Sequence, residues 1–160
     1  MSEPVTPRVV PDTAAATAAR ALGLDVAVSA HGRVRSLAEA AAARGLEPRD
    51  IVKTMVVRRG PDDYLFVLVP GDAEIAWPKL RALLGVSRLC MPDADTALKA
   101  TGYERGTITP FGAVTAWPVI ADASISGRRV SMGSGAHGVA LAVDSDAMLA
   151  ALNATVANIT

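Results

Sequence analysis

An unbroken apolar run, Tyr64 to Val69 ("YLFVLV"), constrains the fold more than any other feature. β-Branched and aromatic residues dominate it, and it is too short for a buried helix, so it reads as a strand. With no polar side chain to face water, that strand must be covered on both faces. The run before it, "IVKTMVV", is similarly β-rich, and Arg58-Arg59-Gly60-Pro61-Asp62-Asp63 between them reads as a hairpin with a longer loop. The remainder of the chain has to supply two covering layers.

Helices for those layers are marked by their ends. "PDTAAATAARALG" has Asp12 or Thr13 as cap and Gly23 as stop; "SLAEAAAARG" has a Ser36/Glu39 capping box and ends at Gly45. "AWPKLRALLG" carries Pro78 in its first turn, and "DADTALKATG" closes at Gly102, with Asp93 and Asp95 as helix-start residues. "LDVAVSA", "VSRLC", "WPVIADAS", "RRVSMGSG" and "GVALAVD" read as strands, and "SDAMLAALNATVANI" as a terminal amphipathic helix. Strands and helices interleave without a repeating βαβ unit, which favours an α+β domain around a mixed sheet. Three prolines in the first eleven residues suggest an extended arm.

Composition excludes several classes. Sixteen basic residues balance sixteen acidic ones, so nucleic acid could be held only by a few local side chains. Cys90 is the only cysteine and His31 and His137 the only histidines, which leaves no disulfide framework and no standard zinc site. With no signal-peptide pattern and no apolar run of membrane-spanning length, a cytoplasmic protein is expected. Cys90 itself reads as inert packing.

Three fragments could carry chemistry. Lys53 interrupts an otherwise apolar strand face; it either snorkels at a strand edge or holds its ammonium in a cleft against an anion or carbonyl. Thr54 points to the opposite face, or into the same cleft if the strand is bulged. "TGYERGTITPFG", Thr101 to Gly112, is too glycine-rich for a helix, and such loops bring backbone N–H groups close to ligands. Gly133 to Gly138 in "MGSGAHG" is a second such loop, where His137 could act as base or hydrogen-bond donor.

In combination, Ile-Val-Lys-Thr after a capped helix, Thr-Gly-Tyr-x-x-Gly-x-x-Thr-Pro-Phe-Gly, Ile-x-Asp and a glycine-rich turn resemble the YbaK/EbsC family, which includes the editing domain of bacterial prolyl-tRNA synthetase. The likeness runs from about Leu22 to the C-terminal helix. It implies a single compact domain over residues 11–160, preceded by an arm over 1–10, with a mixed, strongly curved, barrel-like sheet flanked by helices. The implied activity is deacylation of a mischarged tRNA, typically tRNA-Pro, without metal or organic cofactor.

The implied catalytic residues are Lys53, Gly135 and His137; the implied substrate-binding residues are Thr54, Gly102, Tyr103, Gly106, Thr109, Pro110, Phe111, Gly112, Gly133, Ser134 and Gly138. The implied partners are the aminoacyl-tRNA acceptor end and an aminoacyl-tRNA synthetase, with no membrane. Val26-Ala27-Val28-Ser29, Ser36 and Ala136-His137-Gly138 depart from the bacterial Cys-tRNA-Pro deacylases. The aminoacyl group is accordingly left open among cysteine, alanine, serine and threonine. The alternative is a catalytically inactive tRNA- or synthetase-binding module, and a third reading is hydrolysis of another small ester or thioester.

Overall fold

The computed structural model describes residues 12–30, 37–43 and 45–160. The expected arm, His31 and the Ser36 end of the capping box lie outside these residues. Two sheets carry the fold. The larger has the order β2 (Val52–Gly60), β3 (Asp63–Pro70), β4 (Val119–Asp122), β7 (Thr155–Ala157); the smaller has the order β1 (Ala27–Ala30), β6 (Val139–Asp144), β5 (Arg129–Gly133). The smaller sheet is antiparallel throughout. The larger is mixed, with β2 and β3 antiparallel and β3, β4 and β7 parallel.

The expectation of a single barrel-like sheet is corrected by this arrangement. Between the two sheets the ladder contact is one parallel bridge, Ile51 to Ser131, so neither sheet closes or curls strongly. An α+β domain with a mixed sheet stands.

Strand β3 shows why its sequence is apolar on both sides. Tyr64, Phe66 and Leu68 enter the main core with helices α1 (Ala14–Ala21), α4 (Ala94–Thr101) and α5 (Ser145–Ala151) and the inner residues of β5 and β6. Leu65, Val67 and Val69 enter a second core with Leu80 of α3 (Trp77–Leu84) and Ile159. Helix α2 (Leu37–Ala43) packs Ala40 and Ala41 near Ile51. Each full burial of such a side chain contributes on the order of 1.5–3 kcal/mol.

Helix ends follow the capping residues: Thr13 accepts from the N–H of Ala16, Asp93 from that of Thr96, and Gly85 and Gly102 close α3 and α4 in the left-handed conformation. Three expectations are corrected. The β2–β3 loop is tight rather than long, because Arg58 to Gly60 stay in the strand, Gly60 pairs with Asp63, and Asp62 takes φ 50°. "VSRLC" forms only a bridge, Cys90 to Arg58, and Cys90 is exposed rather than packed inside. The terminal helix stops at Ala151; Asn153 turns with φ 50°, and Thr155–Ala157 becomes β7 beside β4.

Asp122 fastens this last segment. Its carboxylate accepts from the N–H of Ile159 at 3.0 Å, the hydroxyl of Thr160 at 3.2 Å, the N–H of Ser124 at 3.2 Å and the Ser124 hydroxyl. Burial opposes its ionisation, but these hydrogen bonds outweigh burial and hold the carboxyl below the usual carboxylate range. A depressed folded-state pKa gives stability that is complete above the unfolded value of about 3.9 and is lost as pH falls through the folded value. Asp122→Ala is expected to lower the unfolding free energy by about 2–3 kcal/mol, since it leaves the buried Ile159 N–H without its acceptor. Denaturant titrations at pH 7 and pH 3 check this: the variant's deficit should shrink at pH 3, and an equal deficit at both would refute the assignment.

Candidate functional site

Strand β2 is an edge strand of the larger sheet, and two bridges pin its outer side. Ile51 meets Ser131 at one end, and Arg58 exchanges two backbone bonds with Cys90 (2.7 and 3.2 Å) at the other. Pairing of Val52 through Arg58 with β3 is regular, and the bulge falls only after Arg58. In a regular antiparallel strand alternate residues turn both backbone groups to the same side. Arg58 faces outward, so Val56, Thr54 and Val52 also direct N–H and C=O away from β3.

A cavity of about 730 Å³ lies along this edge. Its walls are Ile51 and Val52 to Val56 of β2, Met91 to Ala94 with Ala97 in the first turns of α4, Arg105, Gly106 and Ile108 of the first glycine loop, and Met132, Gly133 and Ala136 to Val139 in and around the second. Lys53, Thr54, Gly106, Gly133, His137 and Gly138 are thus brought together. The strand is not bulged at Thr54, so Lys53 and Thr54 leave on opposite faces and both border the cavity because it opens at the strand's edge. Lys53 is half-buried, and its ammonium donates to the carbonyl of Ala73 at 2.8 Å. An ammonium has three donors, so that bond orients the group without exhausting it. Thr54 Oγ1 is enclosed and has no hydrogen-bond partner among the described residues.

Tyr103, Thr109, Pro110, Phe111, Gly112, Gly102, Ser134 and Gly135 do not line this cavity. Of these, Tyr103, Ser134 and Gly135 brace the loops that do. The Tyr103 hydroxyl, deep inside and with its pKa raised by burial, donates to the carbonyl of Phe111 at 2.5 Å. Gly135 lies against the Tyr103 ring: a Cβ there would stand 2.5 Å from a ring carbon, and Gly135 has φ +83°. Its N–H donates to Thr107 O at 2.9 Å, which fastens one glycine loop to the other. Gly133 approaches as closely, since its Cβ would lie 2.7 Å from Ile108 O. Buried Ser134 donates to Val139 O at 2.7 Å and tightens the second loop.

His137 Nε2 and Glu104 Oε2 are 2.8 Å apart and bridge the loops at an exposed rim. Pro110, Phe111 and Gly112 border a separate hollow with Ala18, Leu22 and Trp117. The first loop therefore presents Arg105, Gly106 and Ile108 to the cavity and uses its proline end elsewhere.

Sequence reasoning missed Met91, Asp93 and Arg105 as cavity residues. Asp93 was legible only as a helix cap, which it is; its second position at the cavity wall follows from the Arg58–Cys90 bridge, a contact without local signal. Hydrogen bonds from Thr96, first the backbone N–H and then the hydroxyl, hold its carboxyl below the ordinary range. Among the described residues, no three His, Cys, Asp or Glu side chains gather as a metal site, and no helix is long and apolar enough to cross a membrane.

Comparison with known proteins agrees with this architecture. Residues 31–151 match the model of the aminoacyl-tRNA editing domain. The proline–tRNA ligase of Thermosipho melanesiensis is 36% identical over 92 residues, 58% of this chain and 16% of the ligase. That of Trichlorobacter lovleyi is 32% identical over 91 residues, 57% of this chain and 16% of the ligase. The chain therefore matches only about a sixth of the length of these relatives. A crystal structure described as a candidate trans-editing enzyme for prolyl tRNA synthetase superposes with TM-score 0.83 at 26% identity, over 90% of this chain and 92% of the other. A further crystal structure, of a hypothetical protein, superposes with TM-score 0.79 at 26% identity, over 88% and 95% of the two chains.

Proposed function

Because this chain belongs to the aminoacyl-tRNA editing domain family, we propose that it is a trans-editing deacylase, hydrolysing the ester between a small amino acid and the terminal ribose of a mischarged tRNA, tRNA-Pro foremost. The observation that carries the reading is that half-buried Lys53, whose ammonium keeps donors beyond its bond to Ala73 O, borders a cavity walled partly by glycine backbone. An aminoacyl ester is already activated, so water or the adjacent ribose hydroxyl can attack once it is positioned. In the direct route water adds to the carbonyl carbon, the ester C–O bond breaks, and the ribose oxygen regains a proton as the amino acid departs. Lys53 holds the carbonyl oxygen or the terminal phosphate, and N–H groups of Gly133, His137 and Gly138 stabilise the negative charge that develops.

Backbone donors suit this task because they are fixed before substrate arrives. His137, oriented by Glu104, and Arg105 serve the nucleotide end at the rim. Gly135 and Tyr103 act through the loops they brace. The editing unit spans residues 11–160 with 1–10 as an arm, works in the cytoplasm, and cooperates with a synthetase whose pocket separates small side chains poorly. No metal or organic cofactor enters the scheme.

The test is deacylation of tRNA-Pro carrying cysteine, alanine, serine or threonine by the purified protein. Release of one of these at a rate well above the uncatalysed rate is expected. Tight tRNA binding without release from any of them would replace this reading with a binding module.

A further inference from the structure

The charges around the cavity are unevenly divided. Lys53, Arg105 and His137 supply cationic or protonatable groups, while Asp93 is the one carboxylate among the described residues that line it. The two bridges on β2 assemble the walls that carry these groups. The Ile51–Ser131 bridge brings β5 and the loop that follows it to one end of the strand, and the Arg58–Cys90 bridge is antiparallel, so Met91 to Asp93 run back along the strand's outer edge to the cavity wall. A ligand bearing one cationic and one anionic group would therefore find both a carboxylate and cationic groups on the cavity wall.

We infer that Asp93 recognises the free α-ammonium of the aminoacyl group, making it a specificity residue for unblocked aminoacyl esters. The inference rests on the editing reading for the nature of the ligand. An α-ammonium has three donors and no acceptor function, so it requires acceptors and is repelled by Lys53 and Arg105. The Asp93 carboxylate is an acceptor of that kind at the cavity wall. Its bond from the Thr96 N–H at 2.8 Å fixes the carboxylate's orientation, and the hydrogen bonds from Thr96 keep it ionised at neutral pH. An N-acylated amino acid presents a neutral amide in place of the ammonium and loses this contact. The consequence is a preference for elongator-type aminoacyl-tRNA over N-blocked forms.

Asp93→Asn removes the charge and keeps a good helix cap; Asp93→Ser does the same with a different side chain. The probes are 3′-(L-alanylamino)-3′-deoxyadenosine, whose amide cannot turn over as an ester, and its N-acetyl counterpart. Binding is measured by calorimetry at pH 6.5, where an α-amino group of ordinary pKa, about 8, is protonated. Wild-type protein should bind the free amine at least about fivefold more tightly, a modest factor because the carboxylate is exposed. In both variants the preference should fall below about twofold, with affinity for the N-acetyl probe unchanged.

Retention of the preference in both variants, or its absence in wild type, would overturn the inference. If the preference is present and charge-dependent but no aminoacyl-tRNA is hydrolysed, the inference stands and the deacylase reading falls. If hydrolysis occurs and the preference ignores Asp93, the reverse holds. Failure of wild type to bind either probe would also overturn the inference, while the deacylation assay decides the editing reading separately.

Discussion

Replacing Lys53 with alanine is expected to reduce the rate of deacylation at least about a hundredfold, the usual order for losing one preorganised donor to a developing oxyanion or its phosphate neighbour. The fold should survive. Lys53 is only half-buried, and the Ala73 carbonyl that loses its 2.8 Å donor can turn to water, at a cost of about 1 kcal/mol or less. Lys53→Met is the informative companion, because it keeps most of the aliphatic stem along β2 and removes only the charge. Single-turnover rates and thermal melts on both variants separate the two contributions. Full activity in Lys53→Met would show that the ammonium does no chemistry, and the mechanism above would have to be abandoned.

Gly135→Ala should act in the opposite way, through stability first. The added methyl meets two penalties at once: a left-handed backbone at φ +83°, worth about 1–2 kcal/mol, and overlap with the Tyr103 ring at 2.5 Å, worth about 1–3 kcal/mol. Tyr103 cannot easily retreat, because its hydroxyl is bound to Phe111 O and Gly112 closes over it, with a Cβ there only 2.8 Å from the hydroxyl. The expected loss is about 3 kcal/mol in denaturant-derived unfolding free energy, enough to lower the midpoint clearly in a chain of this size. Gly106→Ala provides the contrast. It has φ +90° but open space around its Cβ position, so only the backbone penalty applies, while its place on the cavity wall makes activity the quantity that suffers. Equal destabilisation by the two would mean that the Tyr103 contact carries no weight.

Local chemistry was legible wherever a few consecutive residues decide the outcome. Thr13, Asp93, Gly85 and Gly102 are caps in sequence and in space, and the two-faced burial of β3 follows from its unbroken apolar run. Legibility failed where partners lie far apart. Whether the strands form one curled sheet or two depends on which strand meets Ser131, and a single bridge to Ile51 settles it. "NATVANI" continues an alanine-rich helix by pattern, yet Asn153 accepts a left-handed turn and the β-branched Thr155 and Val156 find β4 alongside.

At the site, Lys53 was visible as a misfit in its strand, Thr54 as its neighbour and His137 as a polar residue in a glycine-rich loop, and the structure gathers them around one cavity. The division of the first glycine loop between cavity wall and buttress was not visible. It depends on the Tyr103 side chain, which a linear reading places next to ligand rather than beneath two glycines.

The exposed thiol of Cys90 gives the molecule a built-in reporter position. It is the chain's sole cysteine, so a maleimide fluorophore or spin label would attach at one place without prior mutagenesis. Its backbone is locked to Arg58 in both directions, and Met91, the next residue, already belongs to the cavity wall. A dye at this position would sit on a rigid mount beside the cavity wall, and its emission could follow ligand arrival and departure in stopped flow.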